Sequence, residues 1–128
     1  MDRTKIIDAL GLISGGNLAI TDLQIVQWGR DIIFECEYQT IQPDDTPDEL
    51  VVFRLIFKDC RDLHWKSYAH IALAETGEVA NRTDVAELLL GQGNHRRDAN
   101  ILTSNFAATI SYGSLIYEYD DKQVVHSN

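Results

Sequence analysis

The densest group of basic side chains lies in Gly91-Gln92-Gly93-Asn94-His95-Arg96-Arg97. Two glycines would let backbone N–H groups turn toward a ligand, and two guanidinium groups would grip a phosphate or carboxylate bidentately. His95, Arg96 and Arg97 are therefore the candidate ligand-binding residues. The ligand class is an anion, with Asp98 or Glu87 available to assist as a base. The segment is not a P-loop, because the glycine spacing and the Lys-Ser/Thr pair are absent. It is not a dinucleotide fingerprint, because the third glycine and the βαβ setting are absent. The plainer reading is a solvated hairpin loop whose arginines pair with local acids such as Asp98.

Cys60, His64, His70 and His95 carry metal-ligating atoms. Residues 60, 64 and 70 share a strand parity, yet their spacing matches no zinc motif. Cys60 also lies between Lys58 and Arg61, which would favour a thiolate. A nucleophile needs a base within hydrogen-bond reach, and a cysteine closing an apolar run is more often a core filler. The acidic stretch Asp44-Asp45-Thr46-Pro47-Asp48-Glu49 lacks the central glycine and closing glutamate of an EF-hand, so it reads as an extended connector. No catalytic residue, metal ligand or cofactor is assigned.

The aromatic set comprises Trp28, Trp65, Tyr68, Tyr112, Tyr117 and Tyr119. An apolar body with a polar tip suits a core or a protein interface. Base stacking would want basic neighbours, whereas Glu118, Asp120 and Asp121 surround the last tyrosines.

The elements that must position these groups are mostly strands. Ile32, Phe34, Cys36 and Tyr38 alternate with Ile33, Glu35, Glu37 and Gln39, as in a half-buried strand. Val51, Phe53, Leu55 and Phe57 line the apolar face of a second strand. The polar loop from Gln42 to Glu49 would join the two as an antiparallel hairpin. Leu63 and Trp65 share one side of a run over 62–70 that extends this hairpin. Upstream, Leu18 and Ile20 differ in parity from Leu23 and Ile25, so a bulge or bend falls at Thr21-Asp22. Trp28-Gly29-Arg30-Asp31 reads as a turn.

Residues 83–90 fit a helix or a buried strand equally well. Phe106, Ala108, Ile110 and Tyr112 alternate again, followed by Leu115, Tyr117 and Tyr119. Ile6, Leu10 and Ile13 suggest a short N-terminal helix closed by Gly15-Gly16. The stretch 120–128 reads as a frayed tail. The expected fold is mainly β, at the margin α+β. It is an antiparallel β-sandwich, a strongly bent sheet or a partly open barrel with a short N-terminal helix.

A chain of 128 residues fits one domain, 1–128. Its formal charge of −9 repels DNA and anionic lipid and favours basic partners. Two cysteines are too few for a disulfide framework, and no run has the length of a membrane span. A reducing, cytoplasmic location is expected. The reading that follows is a small acidic protein-interaction module, with a protein partner or self-association as a homodimer, no membrane role and nucleic acid disfavoured. Its alternative is an anionic-ligand protein or enzyme using the Gly91–Arg97 loop.

Overall fold

The structure, a computed structural model, describes residues 5–7, 16–39, 50–67, 83–91, 97–120 and 122–125. Residues 5–7 are helical, with Ile6 and Ile7 buried in the core. Among the described residues nine strands follow: β1 (Asn17–Val26), β2 (Asp31–Gln39), β3 (Leu50–Lys58), β4 (Asp62–Ser67), β5 (Thr83–Leu90), β6 (Arg97–Thr103), β7 (Phe106–Tyr112), β8 (Ser114–Tyr119) and β9 (Lys122–Val125). They form one open antiparallel sheet in the order β4-β7-β6-β5-β1-β2-β3-β8-β9. Residues 83–90 are thus a strand. Of the alternatives, the bent sheet describes the molecule; among the described residues it does not close into a barrel.

The bend arises where pairing is interrupted. β1 runs along the whole of β2 but meets β5 only at Ala19–Asp84 and Ile20–Thr83, and its register slips between Ile20 and Asp22. The parity change at Thr21-Asp22 is therefore a bulge, which twists a strand locally. On the other side, β3 and β4 run antiparallel to β8 and β7 through a shared corner. Lys58 opposes Ser114 and Asp62 opposes Ser111, so residues 59–61 face only residues 112 and 113. One extra residue on one strand bends the pair. Asp59 takes a positive φ of 54° there. Gly113 packs so close that a Cβ would lie 3.0 Å from Asp59 Oδ2. Hydrogen bonds carry the ladder around the corner: Gly113 N–H donates to Lys58 O at 2.9 Å and Arg61 N–H to Ser111 O at 3.0 Å. β4 consequently does not extend the β2–β3 hairpin as the alternation over 62–70 suggested; it crosses to pair with β7.

The bend turns two halves of the sheet toward each other. Phe34 on β2 stacks on Phe106 of β7, with ring centres 6.4 Å apart. Phe57 on β3 meets Tyr112 of β7 edge to face at 5.0 Å. These rings sit in a single continuous core, so the alternation read along β2, β3, β7 and β8 marks the inward face. Burying such faces supplies most of the stabilisation. The expected fraying of residues 120–128 gives way at Lys122–Val125 to β9, paired with β8. Its backbone is held by the ladder while its four side chains, Val124 and Val125 included, stay exposed.

Candidate interaction site at the β4 edge

Among the described residues β4 and β9 are the two edges of the sheet. β4 reads Asp62-Leu63-His64-Trp65-Lys66-Ser67. Its pairing with β7 fixes which way each side chain points. Leu63 and Trp65 oppose Ile110 and Ala108, which face the core, whereas His64 and Lys66 oppose Thr109 and Ala107 on the outer face. Leu63 packs against the core from the side. Trp65 lies flat on Phe106, ring centres 4.1 Å apart, yet stays 42% exposed.

The outer face beside β4 is a trough of about 430 Å³. Two cross-strand rows build it. One runs Lys66–Ala107–Leu102–Glu87, the other His64–Thr109–Asn100–Leu89. Small residues on β7 form the floor, and the longer side chains of β4 and β5 form the walls. Thr109 Oγ1 donates to Asn100 Oδ1 at 2.9 Å, and His64 Nε2 lies 3.1 Å from Asp62 Oδ2. The Asp62–His64 pair can orient an imidazole, but the neighbouring hydroxyl is committed to Asn100. This places an acid–imidazole pair on the surface without a nucleophile joined to it.

The start of β4 meets the β1–β2 hairpin tip. Cys60 N–H donates to Arg30 O at 2.7 Å. Between tip and strand lies a groove of about 240 Å³ lined by Ile25, Trp28, Ile32, Cys60, Arg61 and Leu63, among others. Gln27, Trp28 and Gly29 all hold positive φ, 53°, 61° and 92°. Glycine adopts this region freely, but a bulky side chain there is strained. The strained turn points Trp28 fully into solvent, at 105% relative exposure, with Ile25 beside it at 54%.

The expected site residues fare differently. His95 and Arg96 lie outside the described residues, as do His70, Tyr68 and the acidic stretch 44–49. Arg97 begins β6 opposite Tyr112, half-buried, and lines neither the trough nor the tip groove. Gly91 does not offer its N–H to a ligand, because that group donates to Asp98 O at 3.0 Å. Glu87 and His64 do come to one place, on opposite walls of the trough. Both cysteines are buried thiols outside any disulfide. Burial, reinforced by the nearby Glu35 charge, pushes the Cys36 thiol far above its ordinary value, so it stays protonated. Cys60 Sγ donates to Phe57 O at 3.3 Å. No group of three or more metal-ligating side chains occurs among the described residues. Of the aromatic set, Tyr112 and Tyr117 are core residues, while Trp28 and Trp65 reach the surface. Asn100 and Thr109 were missed by sequence reading. Their polarity marks them only as outward strand positions until the register sets them side by side.

No protein-family model matches the chain, and no curated protein matches it. Among solved structures it is similar to the crystal structure of an uncharacterized protein from Neisseria gonorrhoeae. The TM-score is 0.50 at 8% identity, and the match covers 81% of this chain and 92% of that one. At this identity the likeness is one of fold. No helix among the described residues is long and apolar enough to cross a membrane.

Proposed function

We propose that the chain is a small acidic protein-interaction domain, acting in the cytoplasm, that engages another protein chain along the β4 edge and the Trp28 tip. The observation that carries this reading is Trp28. A tryptophan held fully in solvent by a positive-φ turn carries strain and apolar exposure that nothing among the described residues compensates. A partner that covers the ring would compensate for both, and tryptophan is among the residue types enriched where binding energy concentrates. Ile25 and Leu63 widen the apolar patch, and Arg61 and Asp62 rim it.

The competing reading, an anionic-ligand protein, has less support. His64 and Lys66 would welcome an anion in the trough, but Glu87 faces them from the other wall and Asp98 stands in the adjoining row. Carboxylates on both sides of a site lower its affinity for anions.

The test places a photo-reactive phenylalanine analogue at position 28 of the full chain and, as a control, at Val52, which is exposed on another part of the sheet. Irradiation in cells should give a discrete adduct at position 28, with a defined peptide of another chain or of a second copy attached. Equal, diffuse labelling at both positions would overturn the reading.

A further inference from the structure

We infer that the partner at the β4 edge is a second copy of this chain, joined by antiparallel pairing of β4 with β4 about a two-fold axis through His64. The inference deepens the protein-interaction reading and rests on it. An edge strand offers a template for another strand, and the register decides whether that pairing is favourable.

Directly opposed residues in an antiparallel pair point to the same side of the sheet. Only registers that match inward with inward residues continue the core face across the junction. Setting His64 opposite its own copy meets this condition and overlaps Asp62 through Lys66. Asp62 then lies opposite the second copy's Lys66, twice by symmetry, on the outer face. Leu63 lies opposite the second copy's Trp65, also twice, on the inward face. Opposite charges and aromatic–aliphatic pairs are the favourable cross-strand combinations.

Neighbouring registers lose this match. Moving by one residue in each direction sets His64 against Lys66 and leaves Asp62 without a β4 residue opposite it. The opposite move sets Asp62 against His64 and reduces the overlap to three residues of β4. A one-residue slip turns the inward residues outward. The other edge, β9, reads Lys122-Gln123-Val124-Val125 and contains no acid to set against Lys122. The complementarity therefore belongs to β4. It is of the isologous kind, in which one patch carries both signs and closes on itself as a dimer. Leu63 also lines the tip groove, so the paired strands adjoin the Trp28 patch without a break.

The test is a charge-swap cycle on the full chain, read by sedimentation over a range of concentrations. Asp62→Lys alone and Lys66→Asp alone each place like charges opposite each other twice, and should weaken dimerisation by about tenfold or more. Combining them restores opposite pairs and should return the association to near its starting strength. A second measurement uses His64→Cys. Opposed residues near the axis lie within disulfide reach, so mild oxidation should yield a covalent dimer, while the native cysteines stay buried. A monomer at every concentration that also fails to cross-link through His64→Cys would overturn the proposal. So would a double swap as weak as the single ones. Open-ended polymers would also overturn it, since an isologous contact closes as a dimer and cannot propagate. If a different protein cross-links at position 28 in the same preparations, the interaction reading stands and only the self-pairing falls.

Discussion

The backbone N–H of Gly91 donates to the carbonyl oxygen of Asp98 at 3.0 Å, and a Cβ at Gly91 would lie 2.8 Å from the Asp98 nitrogen. The glycine is required by this close approach of two backbones where β5 hands over to β6. Backbone atoms cannot swing aside as a long side chain can. Gly91→Ala should therefore cost about 1–3 kcal/mol, the range for overpacking. Urea denaturation should show a lower midpoint at unchanged slope. A variant as stable as the parent would mean that the β5–β6 junction relaxes freely.

Phe57 joins the two halves of the bent sheet. Its ring meets Phe34 at 5.8 Å within its own half and Tyr112 at 5.0 Å in the facing half. Phe57→Ala should cost about 3–5 kcal/mol, as core phenylalanine truncations do. Phe57→Leu should recover most of that, because it refills much of the volume. Equal losses for the two variants would show that ring geometry matters more than volume at this junction.

Strand alternation made much of this architecture legible. Phe53, Leu55 and Phe57 mark the inward face of β3 because a strand buried on one side must repeat every second residue. The bulge at Thr21 announced itself as a change of parity. What local pattern could not carry is partner choice. Nothing in Asp62–Ser67 says that this strand leaves β3 and pairs with β7, since that follows from the corner at Asp59 and Gly113. The trough was hidden for the same reason. Thr109 and Asn100 are nine residues apart in sequence and meet only once β6 and β7 are in register. Trp28 was visible as an aromatic residue in a turn, but its full exposure depends on three consecutive positive φ angles.

The β6–β7 turn is held by one buried hydroxyl. Thr103 Oγ1 donates to Phe106 O at 3.2 Å and accepts from the N–H groups of Asn105 and Phe106 at 3.1 and 3.0 Å. Thr103→Val keeps the shape but removes all three bonds and leaves buried backbone groups unsatisfied. The expected loss is about 1–3 kcal/mol. Thr103→Ser should lose less, because it keeps the oxygen. Hydrogen exchange at the Phe106 amide should quicken in the valine variant alone.

The two surface tryptophans should part company. Trp28 contributes no packing in proportion to its exposure, and its φ of 61° suits glycine better. Trp28→Gly should leave stability unchanged or raise it by up to about 1 kcal/mol, relief of left-handed strain being offset by added chain entropy. Trp65→Ala removes the stack on Phe106 and should cost about 1–3 kcal/mol, less than a fully buried tryptophan would. A comparable loss at Trp28 would show that its ring packs on the fold, and the case for a covering partner would lose its main support.

Alkaline pH should expose the buried thiol. Cys36 is fully buried, and desolvation, with Glu35 adding to it, raises its folded value well above the ordinary 9.0. The sign follows from which state holds the proton. Below the ordinary value both folded and unfolded thiols are protonated, and the stabilisation is fully present. Above it the unfolded chain ionises while the folded one does not, so stability falls by about 1.4 kcal/mol per pH unit from this group. Cys36→Ala removes that dependence whatever it costs in packing. Between about pH 8 and about pH 10 the parent should therefore lose roughly 1 kcal/mol more than the variant, with lysines and tyrosines contributing equally to both. Parallel stability curves would mean that the Cys36 thiol ionises in the folded chain as readily as in water, and that strand β2 admits solvent to the core.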